Sequence, residues 1–329
     1  MCAKARRSSA LIYYFVVILA CFGRPAWSQE SGGLKRIRIG MPNRGATTLG
    51  LSAAQTYGFF RSQGLFAELI VMRPSTSLQT LMSGDLDFST ALASAARASV
   101  SGLPLRMVMA LTVGQDFTLV VRPEIRRVED LKGKTLAVSG IGEFTDVGTR
   151  IVLRKYGLTP ETDVKLRAVY GNHPLRLSAL QAGQIDGTVM SMPFNKMAVK
   201  MGFRELVQLR DFIKTPQGGL VTTLQKIRGE PEMILRAVKA TLLGNRFLKE
   251  NKNEFARLLA KESGVHDPVV AGLIHEEIVK LYSDTGIVSD DAMQEFIANA
   301  KEALKGSRDV PVSEVADFSF ARRAVSELR

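Results

Sequence analysis

A seven-residue pattern, Leu-x-x-Gly-x-(Leu/Ile)-Asp, occurs twice in this chain of 329 residues, at 81–87 and at 180–186. In both copies an apolar, helix-like stretch precedes the glycine, and glycine suits the left-handed position that ends a helix. The Leu or Ile that follows is typical of the start of a buried strand. Unless a short pattern has recurred by chance, Gly84 and Gly183 mark two similar helix–turn–strand units. The pattern therefore predicts two similar lobes with a cleft between them.

The first 28 residues have the three parts of a secretory signal peptide. Lys4, Arg6 and Arg7 form a basic start, residues 11–22 are an unbroken apolar run, and Ala26-Trp27-Ser28 offers a cleavage site. The apolar run is short for a membrane span. We therefore expect export to the periplasm, with an uncleaved anchor and lipid attachment at Cys21 as the alternatives.

Cysteine usage and charge narrow the class of function. Cys2 and Cys21, the two cysteines of the chain, both lie in the predicted leader. The mature chain would then have neither a disulfide nor a cysteine nucleophile or metal ligand. The net charge is +12, which indicates either an ordinary basic surface or a surface that attracts anionic small molecules. The basic residues are scattered, without an aromatic-rich basic groove, so we expect no nucleic-acid partner.

Strand-like and helix-like segments alternate from Arg36 to Leu111 and again from Thr135 to Leu209. This alternation predicts α/β architecture with largely parallel sheets. Two β-rich segments, 116–122 and 215–224, interrupt it, and the chain beyond Pro231 has the spacing of amphipathic helices. We predict that residues 34–120 and 219–329 form lobe one, that residues 121–218 form lobe two, and that the two β-rich segments act as a hinge.

Several segments, taken in order, resemble the periplasmic solute-binding proteins of ABC importers, in particular the branch that binds sulfonates, taurine, nitrate and thiamine-precursor pyrimidines. They are the strand residues 38–40, both copies of the repeated pattern, Asp130-Leu131-Lys132-Gly133-Lys134-Thr135-Leu136-Ala137-Val138, and Gly218-Gly219-Leu220-Val221-Thr222. The resemblance implies a type II periplasmic-binding-protein (Venus-flytrap) fold. That fold has two doubly wound sheets joined by a two-segment hinge, with the helical C-terminal part packed on lobe one.

The same resemblance implies a monomer that closes on one small organic molecule and presents it to a membrane ABC permease. The ligand it implies is anionic or zwitterionic, such as a sulfonate or carboxylate. A pyrimidine ligand and a sensor as the partner remain alternatives. The mature sequence contains no catalytic motif such as Gly-x-Ser-x-Gly, His-Glu-x-x-His or a Walker loop. We therefore expect no enzymatic activity, no cofactor and no metal.

Ligands of open α/β sheets bind beyond the carboxyl ends of the strands, where helix N-termini offer free N–H groups. Arg44 is the charged candidate for a two-pronged contact with an anion, or else a solvated loop arginine. Glu143 and Asp146 face solvent or hold an amine. The predicted ligand-binding residues are the loop residues that follow the predicted strands: Asn43, Arg44, Thr47, Thr48, Ala93, Ser94, Thr112, Ser139, Gly140, Phe144, Thr145, Asn172, His173, Ser191 and Met192. Asp87 and Asp186, the repeated acids, are expected to make structural hydrogen bonds at the opposite ends of their strands.

Overall fold

Two five-stranded sheets, one in each lobe, organise the chain. The computed structural model describes residues 33–170, 173–213, 215–304 and 308–329, so the predicted leader lies outside the described residues. The strands are β1 (Lys35–Met41), β2 (Leu65–Val71), β3 (Phe88–Ser89), β4 (Leu105–Ala110), β5 (Thr118–Val121), β6 (Thr135–Val138), β7 (Lys165–Ala168), β8 (Gly187–Met190), β9 (Arg204–Gln208) and β10 (Gly219–Thr223).

The two sheets share one topology. Sheet one has the order β2-β1-β3-β10-β4, and sheet two has the order β7-β6-β8-β5-β9. In sheet one β10 runs antiparallel between β3 and β4, and in sheet two β5 runs antiparallel between β8 and β9. The strands β1, β2 and β3 pair in parallel, as do β6, β7 and β8. The predicted α/β fold with two similar lobes is confirmed, and each sheet is mixed because it receives one strand from a crossing segment.

Helices flank both sheets. They are α1 (Leu49–Thr56), α2 (Phe59–Ser62), α3 (Pro74–Ser83), α4 (Leu92–Val100), α5 (Phe144–Lys155), α6 (His173–Gln181), α7 (Phe194–Lys200), α8 (Leu224–Gly229), α9 (Pro231–Glu250), α10 (Lys252–Ser263), α11 (Pro268–Ile278), α12 (Asp290–Ala303) and α13 (Ser319–Glu327). Helix α9 packs on α1, α12 on α4, and α13 on α9 and β4. Helices α9, α12 and α13 thus share one apolar core with sheet one, and α10 and α11 belong to a second apolar cluster that includes residues of α1. Among the described residues, no helix is both long and apolar enough to cross a membrane.

The repeated pattern has the same structural role in both lobes. Gly84 ends α3 with a φ of 88°, and Gly183 follows α6 with a φ of 76°. Asp87 then accepts a hydrogen bond from the backbone N–H of Arg38 at 2.8 Å, and Asp186 accepts one from the N–H of Thr135, also at 2.8 Å. Each acid therefore ties the start of its own strand to the central parallel strand of its sheet, at Arg38 of β1 and at Thr135 of β6. The predicted structural role of both aspartates is confirmed.

Two crossing segments connect the lobes, between β4 and β5 and between β9 and β10. They are hydrogen-bonded to each other, because the Gln115 side-chain amide donates to the carbonyl oxygens of Thr215 (2.8 Å) and Pro216 (3.1 Å). The N–H of Asp116 donates to Gln217 Oε1 at 2.7 Å. The chain changes sheets between Ala110 and Thr118, so the predicted boundary after residue 120 lies inside β5.

Ion pairs also join the two lobes. Lys196 of α7 in lobe two lies 3.0 Å from a Glu277 carboxylate oxygen near the end of α11, and it also lies 3.2 Å from Glu205 of its own lobe. Arg154 of α5 lies 2.6 Å from Glu302 of α12. With the lobes this close, any space left between them is a cavity lined from both sides.

Candidate functional site

A cavity of about 360 Å³ lies between the lobes, at the carboxyl ends of the parallel strands of both sheets. This volume falls in the range of small-molecule sites. We call it the interlobe cavity. Lobe one and the hinge line it with Pro42, Asn43, Thr47, Thr48, Val71, Met72, Arg73, Pro74, Thr90, Ala91, Leu92, Ala93, Ser94, Gln217 and Gly218. Lobe two lines it with Phe117, Ser139, Glu143, Phe144, Thr145, Tyr170, His173 and Arg176.

The interlobe cavity brings together nine of the fifteen residues predicted from sequence. They are Asn43, Thr47, Thr48, Ala93, Ser94, Ser139, Phe144, Thr145 and His173. Arg44, Thr112, Gly140, Ser191 and Met192 are not among its described lining residues. Asn172 lies outside the described residues. Ligand contact by any of these residues stays a prediction.

Arg44 is turned to the C-terminal helices. Its Nη1 lies 2.7 Å from Glu262 Oε2, and its Nη2 donates to the carbonyl oxygen of Leu69 at 3.0 Å. The Glu262 side chain is only 5% exposed. The Arg44 guanidinium is therefore the cation that balances the charge of this buried carboxylate. The contacts of Arg44 favour a structural role for it over the predicted anion contact.

Replacing Arg44 is therefore expected to change stability more than ligand affinity. Arg44→Ala leaves the Glu262 carboxylate buried and without its cation, which costs about 2 kcal/mol in the free energy of unfolding. Urea denaturation measures this loss. The double variant Arg44→Ala/Glu262→Gln is the control, because it removes the unpaired charge and should recover part of the loss. A tenfold loss of ligand affinity in Arg44→Ala with unchanged stability would instead show that Arg44 contacts the ligand.

The lobe-one wall of the cavity is formed by the end of β3 and the start of α4. Thr90 is 4% exposed, and its Oγ1 has no hydrogen-bond partner among the described residues. Helix α4 begins two residues later, with no acidic residue in its first turn and no side-chain cap. On the next turn, Arg97 Nη2 donates to Ser94 Oγ at 3.2 Å, and burial lowers the pKa of the guanidinium.

The lobe-two wall has a short chain of hydrogen bonds at the start of α5. The N–H of Ser139 donates to Thr145 Oγ1 at 2.8 Å, and Ser139 Oγ donates to Glu143 Oε2 at 2.7 Å. Because the Ser139 hydroxyl gives its proton to Glu143, it accepts from Thr145 Oγ1, which lies 2.8 Å away. The hydroxyls of Ser139 and Thr145 thus hold the Glu143 carboxylate at the cavity surface.

His173 is held in one tautomer. Arg176 Nη2 lies 2.8 Å from His173 Nδ1, and Ser191 Oγ lies 2.9 Å from Nε2. A guanidinium only donates, so Nδ1 accepts and Nε2 carries the proton toward Ser191. Burial, together with the charge of Arg176, lowers the pKa of His173 well below its usual value. The ring is therefore neutral and acts as a spacer that positions Arg176, and Ser191 supports the site through it.

Aromatic rings provide the apolar part of the lobe-two wall. The Phe117 and Phe144 rings lie 4.8 Å apart, and His173 stacks on Phe194 at 5.2 Å. Tyr170, at the far end of β7, is 60% exposed at the cavity surface. A ligand in this cavity would therefore meet π faces on the lobe-two side, beside the Glu143 carboxylate.

The hinge also contributes to the site. Gln217 lines the interlobe cavity, its N–H donates to Thr112 Oγ1 at 3.3 Å, and its Oε1 accepts from the N–H of Asp116. Thr112, predicted as a ligand contact, thus lies behind Gln217. Met192 is buried, and its carbonyl oxygen accepts a 3.4 Å hydrogen bond from the N–H of Ala46 in lobe one. Met192 thus joins the two lobes, and Thr112 joins the two crossing segments.

Sequence analysis did not select Thr90, Tyr170, Arg176 or Gln217. The sequence pattern predicts strands at 87–91 and 164–170, which include Thr90 and Tyr170, whereas β3 ends at Ser89 and β7 at Ala168. Arg176 lies one turn into α6 and reaches the site through His173, which chain position does not reveal. Among the described residues, no cluster of three His, Cys, Asp or Glu side chains could hold a metal ion.

A family model described as NMT1/THI5 like matches residues 46–255, which is more than half of the chain and includes both walls of the cavity. The chain belongs to the NMT1/THI5-like family. This membership agrees with the resemblance found in the sequence. No curated protein matches the chain in sequence.

Solved structures share the fold of this NMT1/THI5-like chain at low sequence identity. The periplasmic nitrate-binding protein NrtA from Synechocystis PCC 6803 has a TM-score of 0.75 at 14% identity, covering 90% of this chain and 89% of that one. A putative sulfonate ABC transporter protein, the periplasmic sulfonate-binding SsuA from Methylobacillus flagellatus KT, has a TM-score of 0.68 at 19% identity, covering 90% and 95%. The desulfurization enzyme DSZB has a TM-score of 0.62 at 14% identity, covering 90% and 100%. These likenesses establish the periplasmic-binding-protein fold.

Proposed function

We propose that this protein is the exported solute-binding component of an ABC importer, which captures a small organic anion in the interlobe cavity and delivers it to a membrane permease. The observation that carries the proposal is the cavity itself, which both lobes and the hinge line. Family membership and the printed functions of the nitrate- and sulfonate-binding neighbours support it.

Ligand binding and lobe closure are coupled in this proposal. A ligand gains contacts with both the Thr90 wall and the Glu143 wall only when the lobes are together, so it stabilises the closed state. The interlobe ion pairs of Lys196 and Arg154 form in that same state. The closed form is then the one that a permease recognises as loaded.

A thermal-shift screen tests the proposal with defined probes: nitrate, ethanesulfonate, benzoate, taurine and an aminopyrimidine. A ligand present at 100 times its dissociation constant should stabilise the folded protein by about 2.7 kcal/mol, which raises Tm by several degrees. Small-angle scattering with the same probe should show a more compact particle.

The same probes also test for turnover, because one protein with this fold is an enzyme. Binding without chemical change of the probe supports the solute-binding function. No thermal shift with any probe, together with conversion of one of them to a product, would overturn it in favour of an enzyme.

A further inference from the structure

A contact between the lobes lies beside the two crossing segments, and a single side chain makes it. Met192 follows β8 of lobe two and is 1% exposed. It belongs to an apolar cluster in which every other buried member that the structure describes comes from lobe one. Those members include Ala46 and Leu49 near the start of α1, and Tyr282 beyond α11. Lobe two thus reaches into lobe one at Met192.

The backbone of Met192 is hydrogen-bonded on both sides of this contact. Its N–H donates to Asp116 Oδ2 in the first crossing segment at 3.0 Å, and its carbonyl oxygen accepts from the N–H of Ala46 at 3.4 Å. A Cβ at Gly45 would lie only 3.3 Å from that carbonyl oxygen, so the glycine permits the close approach. The carbonyl oxygen of Ala46 accepts in turn from the Tyr282 hydroxyl. Met192 is therefore held in place by its backbone as well as by its side chain.

Both walls of the interlobe cavity are connected to this contact. On the lobe-two side, Ser191 Oγ lies 2.9 Å from Nε2 of His173, which lines the cavity. On the lobe-one side, Thr47 lines the cavity and directly follows Ala46 in the chain. The loops that carry the two walls therefore meet at Met192. A rotation of the lobes about this point changes the separation of the walls without breaking the contact.

The crossing segments are bonded to each other through Gln115 and Gln217 and so move together as one connection. A few residues of such a connection can absorb a large change of angle, which leaves the lobes free to twist as well as to open. A second fixed point beside it removes the twist, because two separated points define one axis.

We infer that Met192 is a non-covalent pivot of the hinge, which stays packed in lobe one while the lobes open and close and confines their motion to one axis. This inference goes beyond the proposed function, because it concerns how the lobes move and does not depend on which ligand the cavity takes.

Distances between spin labels on the two lobes test the inference in the ligand-free protein. Gln79 and Ser178 are exposed residues at equivalent positions of the repeated helix–turn–strand units, on α3 and α6. Gln79→Cys and Ser178→Cys would carry the labels in the full chain, with Cys2→Ser and Cys21→Ser so that no other thiol reacts. Double electron–electron resonance then gives the distribution of interlobe distances.

Met192→Ala is expected to make this distribution about twice as wide, because the lobes can then twist as well as open. Met192→Val, which shortens the side chain less, should give an intermediate width, and Met192→Leu should retain the wild-type width. Met293→Ala is the matched control, because Met293 is 0% exposed inside the core of lobe one. It should lower the Tm as Met192→Ala does and leave the distribution unchanged.

A lower Tm in Met192→Ala without a wider distribution would overturn the pivot and leave Met192 as a packing residue. A wild-type distribution as wide as that of Met192→Ala would also overturn it, as would equal broadening in Met293→Ala. If Met192→Ala does not fold, an unchanged width in Met192→Val has the same consequence. None of these results bears on ligand binding, so the thermal-shift screen tests the solute-binding function separately.

Discussion

Raising the pH from 4 to 8 is expected to lower the free energy of unfolding by about 4 kcal/mol through one carboxyl group, that of Asp116. Burial raises the pKa of Asp116 from 3.8 to about 7, and the nearby Gln217 side chain, the hydrogen bond from the Met192 N–H and the charge of Arg210 oppose this rise only in part. Folding therefore retains a proton that the unfolded chain releases above pH 3.8. The stability contributed by the protonated form is complete below that pH and is lost as the pH rises to about 7.

The surroundings of Asp116 explain why its carboxyl group retains its proton up to about pH 7. Asp116 is 5% exposed in the first crossing segment; its Oδ2 accepts from the N–H of Met192 at 3.0 Å, and its Oδ1 has no partner among the described residues. A protonated acid tolerates this environment better than a carboxylate does. Tyr282, also buried nearby, has its pKa raised well above the usual value by burial and by the charge of Asp116.

The measurement compares urea denaturation of the wild-type protein and Asp116→Asn at each pH. The stability of the variant relative to the wild type should increase by about 4 kcal/mol between pH 4 and pH 8. Asp130→Asn provides a control of opposite sign, because backbone hydrogen bonds from Arg126 and Arg127 lower the pKa of Asp130. The stability that the ionised Asp130 contributes to the wild-type protein is therefore lost as the pH falls. Parallel wild-type and Asp116→Asn curves would show that the carboxyl group titrates normally.

Gly244→Ala is expected to destabilise the protein by about 3 kcal/mol, because α9 crosses α1 at this glycine with no room for a methyl group. A Cβ at Gly244 would lie 2.1 Å from the carbonyl oxygen of Gly50 and 3.0 Å from the backbone N of Ala54. Both neighbours are main chain and cannot rotate away. The gain of about 1 kcal/mol that alanine usually brings to a helix interior is too small to compensate.

Gly229→Ala is the matched control for this substitution. Gly229 is the last residue of α8, and a Cβ there would meet nothing within 4 Å. We expect this variant to be neutral or more stable by up to about 1 kcal/mol. Chemical denaturation that gave equal stability for the two variants would show that α1 and α9 separate at little cost.

Local chemistry explains which parts of the fold were predictable from sequence. The repeated Gly84 and Gly183 have the positive φ expected of helix-ending glycines, and Asp87 and Asp186 bond to the neighbouring strands as expected. These features depend on a few consecutive residues. The sheets are largely parallel as expected, but the antiparallel insertion of β10 into sheet one depends on a segment far along the chain, which local patterns do not reveal.

In the candidate site too, features set by neighbouring residues were predictable and features set by distant residues were not. Strand ends followed by helix starts selected most of the cavity-lining loops, because that geometry is shared by open α/β sheets. The partner of Arg44 could not be found in this way, since Glu262 lies 218 residues further along the chain. Nor could spacing show that the Thr90 hydroxyl is unpaired or that Glu143 occupies the start of α5.

The central place of β10 has a consequence for how the molecule is made. β4 joins the rest of sheet one through β10, which is synthesised only after all of lobe two. A chain emerging N-terminus first could therefore complete sheet two, from β5 to β9, while sheet one still lacked a strand in its interior. Non-local pairing of this kind is slow to form. Lobe one would remain incomplete until the last third of the chain had emerged, so the two halves of the binding cavity would mature at different times.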